Sequence, residues 1–117
     1  MPPLAPGEQR SRDSSISIVS LVAALIEEAH DARASDIHIH PSAGSVQVRM
    51  RIDGLLTDRH LLPPHVLTEV IARIKVLARL RTDEHNSPQD GRFRHTFPHG
   101  AWVDVRTSVM PTYHGEN

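Results

Sequence analysis

Between Ser45 and Gly54 the chain reads S-V-Q-V-R-M-R-I-D-G, and the strict alternation in this stretch leaves few folds open. Val46, Val48, Met50 and Ile52 fall on one parity, while Gln47, Arg49, Arg51 and Asp53 fall on the other. Successive side chains of a strand point to opposite faces, so this is a strand buried on one side and wet on the other, closed by an Asp-Gly turn. Such a strand belongs in an antiparallel sheet with one covered face. Arg49 and Arg51 then project from the wet face about 7 Å apart, a spacing that suits a multiply charged anion such as phosphate. A solvated sheet face accounts for the same alternation.

The flanking stretches supply strands and cover. Ile18, Leu21, Val22, Leu25, Ile26 and Ala29 recur at three and four residues, so a helix is expected from Ser15 to near Ala34. Residues 1–14, with Pro2, Pro3, Pro6 and Gly7, lack periodicity and read as a disordered leader or linker. In A-S-D-I-H-I-H-P, Ile37 and Ile39 alternate with Asp36, His38 and His40 until Pro41 is expected to end the strand. Leu55 to Leu62 is a third strand. Pro63-Pro64 opens a second helix whose stripe is Leu67, Val70, Ile71, Ile74, Leu77 and Ala78. Arg73, Lys75 and Arg79 are expected away from that stripe, forming a solvated face or, with Arg81, a basic ridge. S-P-Q-D-G-R reads as a tight turn, so turn chemistry explains Asp90 as it does Asp53. Two more strands, Arg92 to Phe97 and Ala101 to Val109, complete the chain, and Arg106 repeats the outward placement of Arg49 and Arg51. The order α-β-β-β-α-β-β predicts an α+β domain over residues 15–111, with one antiparallel sheet of about five strands and two main helices on one side.

Composition removes several function classes. A net charge of −1, a pI near 6.7 and 3% aromatic residues argue against a nucleic-acid surface. Without cysteine there is neither a thiolate metal site nor a cysteine nucleophile, and no apolar run approaches the ~20 residues of a membrane span. His38 and His40, at i and i+2, could chelate a metal with Asp36 or His60 as a further ligand; histidines hydrogen-bonded along a strand are the plainer account, and no metal is expected.

Six pieces in one order carry more than any of them alone: A-S-D-I-H-I-H-P (34–41), V-R-M-R-I-D-G (48–54), A-R-I-K-V-L-A-R-L (72–80), S-P-Q-D-G-R (87–92), V-D-V-R-T-S-V-M-P (103–111) and H-G-E (114–116). Together they resemble the second N-terminal domain of the type II secretion and type IV pilus assembly ATPases, with His40 departing from the acidic residue usual there. The resemblance implies a PAS-like domain preceding a RecA-like motor, with residues 112–117 beginning the linker. The full-length protein would be a cytoplasmic homo-hexamer using ATP and Mg²⁺, peripheral to the inner membrane through secretion or pilus platform components. It implies, too, that arginines of this domain face nucleotide on their own or a neighbouring motor domain: Arg49 and Arg51 first, then Arg92, Arg106 and Arg73. No Walker A pattern G-x-x-x-x-G-K-[ST] occurs in these 117 residues, so the domain itself is not expected to hydrolyse ATP or to need a cofactor of its own. The competing expectation is a free-standing PAS-like sensor of a small ligand, or a protein-interaction module.

Overall fold

The computed structural model describes the backbone of residues 6–112 and 115–116 and the side chains of residues 18–111. Helix α1 (Pro6–Asp31) begins earlier than the apolar stripe, because proline suits a first helical turn and no strong breaker interrupts Glu8 to Asp13. It ends at Arg33, whose φ of 58° lets the Ala34 amide donate to the Ala29 carbonyl at 2.8 Å. This left-handed cap closes the helix where the periodicity stops. Helix α2 (Val66–Leu77) ends the same way, with Arg79 at φ 58° and the Leu80 amide on the Lys75 carbonyl at 2.8 Å.

Strands β1 (Asp36–Ser42), β2 (Ser45–Ile52) and β3 (Leu55–Leu62) form an antiparallel meander in that order. Asp53 and Gly54, at φ 53° and 81°, make the two-residue turn that Asp-Gly favours. Pro41 does not end β1; it pairs with Val46, as a proline on a sheet edge can. The register of β2 with β3 shifts between Val48, opposite His60, and Arg49, opposite Asp58, leaving Arg59 as the extra residue of a bulge.

Strands β4 (Gln89–Thr96) and β5 (Trp102–Val109) form a separate hairpin, so the five main strands make two sheets instead of the single one expected. No hydrogen bond joins β1 to β5 among the described residues. Two short strands, β6 (Pro111–Thr112) and β7 (Gly115–Glu116), pair after β5. Ile18, Val22 and Ile26 of α1 pack with Val70 of α2, and Leu25 and Ala29 cover Val48 and Met50. Val46 meets Leu67, Ile71 and Val109. The apolar parity of β2 is therefore buried as its alternation requires.

Two local expectations are corrected. Asp90-Gly91 lies inside β4, not in a turn, and Gly91 is needed for room: a Cβ there would meet Leu80 Cδ2 at 2.9 Å and the Ala78 carbonyl at 3.1 Å. The end of α2 thus rests directly on the β4 backbone. Lys75 is 1% exposed and not part of a basic ridge. It falls four residues after Ile71 and eight after Leu67, on the buried side of α2, and its ammonium donates to the Glu84 carbonyl at 2.7 Å. Gln89 closes the same loop, accepting from the Arg81 amide at 2.8 Å and donating to the Arg81 carbonyl at 2.9 Å.

Candidate functional site

Two outward strand faces carry the arginines singled out by the sequence. On the first, Asp36 stands opposite Arg51, and its Oδ2 accepts from Arg51 Nε at 3.0 Å, while Arg51 Nη1 donates to the Gly54 carbonyl at 3.2 Å. Arg49 Nε lies 2.8 Å from Asp58 Oδ1 on β3, with its N–H directed off the line, so the pair is electrostatic more than a directed hydrogen bond. Gln47 Nε2 donates to the same carboxylate at 3.3 Å, while Gln47 Oε1 accepts from the His40 ring Nε2 at 3.1 Å. Every polar group of β2's outward face is thereby tied to β1 or β3. Both arginine charges are compensated locally.

This face does not assemble a metal site. His38 Nε2 is 3.9 Å from Asp36 Oδ2, His40 is committed to Gln47, and His60, opposite the inward-facing Val48, lies on the helix-covered face against Glu28 of α1. No group of three or more metal-ligating side chains converges among the described residues.

The second face belongs to β4 and β5. Arg92 and Arg106 are exposed and stand directly opposite one another in the register. Like charges so placed repel, their Cβ atoms being about 5 Å apart in any antiparallel pair. Among the described residues neither has a carboxylate within ion-pair reach. Next along the strands, Arg94 stacks over Trp102 with its guanidinium carbon 3.6 Å from the ring centre, and its Nε is 3.8 Å from Asp104. Those contacts hold Arg94 flat and leave the Arg92–Arg106 pair open. Arg73, on α2, is half-buried with its Nε lacking a hydrogen-bond partner among the described residues, and it joins neither face.

Helix α1 ties the two sheets together through adjacent glutamates. Glu28 accepts from His60 Nε2 at 2.6 Å and from Arg59 Nε at 2.8 Å; Glu27 accepts from His95 Nε2 of β4 at 2.9 Å. The hydrogen bond from His60, more than burial opposes it and with Arg59 adding to it, holds the Glu28 carboxyl below the usual carboxylate range. Sequence reasoning missed these pairs and the aspartates that compensate Arg49 and Arg51. One of them was legible: counting outward from the Asp53-Gly54 turn sets Arg49 opposite Asp58.

The family model for the type II/IV secretion system proteins matches residues 11–117. The chain belongs to that family. It is 43% identical over 99 residues to the type IV pilus assembly ATPase TfpB of Acinetobacter baylyi, covering 85% of this chain and 17% of the relative. With the type II secretion system protein E of Xanthomonas campestris pv. campestris it shares 40% identity over 108 residues, 92% of this chain and 19% of the other. With the type IV pilus assembly ATPase PilB of Thermus thermophilus it shares 46% over 93 residues, 79% and 10% respectively. This secretion-family chain thus spans less than a fifth of the length of these relatives. Among the described residues it has no helix long and apolar enough to cross a membrane.

Proposed function

We propose that this domain presents arginines to ATP held by a motor domain of a type II secretion or type IV pilus assembly ATPase, and that the outward face of β4–β5 is the one that does so. What supports the reading is the uncompensated pair of Arg92 and Arg106, set side by side on a rigid hairpin with no carboxylate among the described residues to answer them. Two planar donors so placed suit the terminal phosphate oxygens of a nucleotide. An anion bridging them also removes their mutual repulsion, so binding has an electrostatic gain already built into the hairpin. Arg49 and Arg51, first in order on sequence grounds, become structural on this reading, because each would have to leave an aspartate before reaching phosphate.

The domain contributes no phosphate loop and no magnesium ligand; the motor would supply both, with ATP and Mg²⁺, in a cytoplasmic hexamer bound to an inner-membrane platform. The arginines' part is to stabilise charge on the transferred phosphoryl group and to register its presence. Nucleotide occupancy would then bias how this domain sits against the motor, through contacts that exist in only one state. Steady-state ATPase measurement on the full-length protein tests this: Arg106→Ala should lower kcat by about a hundredfold, and an unchanged kcat would remove the proposal.

A further inference from the structure

Strand β3 is an open edge of the meander: it pairs with β2 on one side and with no other strand among the described residues. Its sequence, L-L-T-D-R-H-L-L, sets two leucines at each end of a polar centre and contains neither lysine nor proline, the residues that commonly blunt such an edge. Leu55 is 72% exposed, Leu56 40% and Leu61 70%. An unpaired row of backbone groups flanked by exposed leucines is a surface on which another strand can add.

The bulge indicates which strand. Pairing with Val46, Val48, Met50 and Ile52 puts Leu62, His60, Thr57 and Leu55 on the helix-covered face, and pairing with Gln47, Arg49 and Arg51 puts Leu61, Asp58 and Leu56 on the outward face. In a regular strand Leu55 and Leu62, seven residues apart, would face opposite ways. The surplus Arg59 brings them to one face, and it does the same for Leu56 with Leu61 and for Thr57 with His60. β3 is therefore symmetric about the peptide between Asp58 and Arg59, in facing as well as in the placement of its leucines.

That symmetry is what pairing with an identical strand requires. Antiparallel partners share a face, and a two-fold axis normal to the sheet between Asp58 and Arg59 meets this condition at every leucine. Leu55 comes opposite Leu62 of the second copy, Leu56 opposite Leu61 and Thr57 opposite His60. At the centre Asp58 of each copy is set against Arg59 of the other, so the charges there are opposite in sign. Sliding the register by one residue fails twice: Asp58 meets Asp58 or Arg59 meets Arg59, and each outward leucine falls opposite a helix-side residue. We infer that β3 is a dimerisation edge, through which two copies of this chain join their meanders into one antiparallel six-stranded sheet with the helices of both on the same side. The inference does not depend on the nucleotide role of the arginines.

Disulfide trapping tests the register, and the chain has no cysteine of its own to interfere. Leu56→Cys and Leu61→Cys are prepared as separate proteins. Within the proposed dimer, position 56 lies five residues, about 17 Å along the strand, from position 56 of the second copy, and the same holds for 61. Neither variant alone can then form the bond, whereas 56 of one stands directly against 61 of the other. Oxidation of the mixture should give at least about tenfold more cross-linked dimer than oxidation of either variant alone, since only directly opposed Cβ atoms meet disulfide geometry. Equal yields, or no dimer from the mixture, overturn the proposal. Sedimentation equilibrium gives a readout without cysteine. The 117-residue chain should sediment as a reversible dimer, and Leu61→Lys, at a side chain too exposed to disturb folding, should raise its dissociation constant at least about tenfold, because two-fold symmetry counts each substitution twice. A monomeric parent chain, or a Leu61→Lys variant that associates as tightly as the parent, would show that β3 is not the interface.

Discussion

The two outward strand faces use the same alternation and the same residue, and they differ in what stands across from each arginine. On β1–β2–β3, Arg51 meets Asp36 and Arg49 meets Asp58, so the face is a set of closed pairs. On β4–β5, Arg92 meets Arg106. Alternation places a charge in solvent, but only the cross-strand partner decides whether that charge is spent within the fold or kept for a ligand. A pattern on one strand thus carries half of a functional statement, and the other half is written on its neighbour.

Giving the second face the first face's arrangement should have the largest effect. Arg92→Glu places a carboxylate opposite Arg106; in the full-length protein it should reduce kcat about a hundredfold, while the opposed pair makes the hairpin more stable by a few tenths of a kcal/mol. An ATPase rate that survives this change would show that the two faces are functionally alike. A cation held inside gives a contrasting scale. Lys75→Ala removes a fully buried side chain and leaves the Glu84 carbonyl with only the longer, 3.3 Å hydrogen bond from Gln89 Nε2, and thermal unfolding should report a loss of about 2–4 kcal/mol, whereas alanine at the exposed Arg92 or Arg106 should leave the melting temperature unchanged or slightly raised. Gly91→Ala probes the contact beneath the same hairpin, forcing Leu80 aside at a cost of about 1–3 kcal/mol in denaturant unfolding.

Opening the first face is the converse experiment. Asp36→Asn with Asp58→Asn should cost no more than about 1 kcal/mol for each exposed pair. It should also create pyrophosphate-dependent NMR shifts at the Arg49 and Arg51 guanidinium groups that the unsubstituted protein lacks. The smallest expected effect is on acid stability. Because the Glu28 carboxyl is held below its ordinary value by His60 and Arg59, its contribution is complete above the unfolded carboxylate pKa near 4.5 and is lost as pH falls through the lower folded value. Glu28→Gln should therefore flatten the stability curve on the acid side of pH 4.5, by a fraction of a kcal/mol, and leave its slope near neutrality unaltered.

Periodicity made both helices, the meander and the inward parity of β2 readable from the chain, because burial of an aliphatic stripe is a local property of sequence. The split into two sheets was not readable, since alternation sets which face of a strand is buried and not which strand edges pair. Charge is no marker of exposure at Lys75, whose spacing from Leu67 and Ile71 sets it on the buried side of α2. Gly91 hides its role in a related way: Asp-Gly is a turn signal only where φ turns positive, and here glycine answers to the closeness of Ala78 and Leu80. For the arginines, the sequence disclosed their direction but not their partners, which come from strands up to fifteen residues away.

The bulge in β3 has a consequence for how this sheet tolerates change in length. Arg49 takes its register from the Asp53-Gly54 turn, whereas Val46 and Val48 take theirs from Leu62 and His60, and the surplus residue between the two zones is Arg59. A deletion elsewhere in β3 would move the residues from the cut up to and including Arg59 one place along and turn those side chains to the other face. Removing Arg59 alone would leave Arg49 opposite Asp58 and His60 opposite Val48, in a strand made regular, with only the Arg59 arm of the Glu28 contact gone. The sheet therefore contains a single position at which a homologue can be one residue shorter and keep every other pairing.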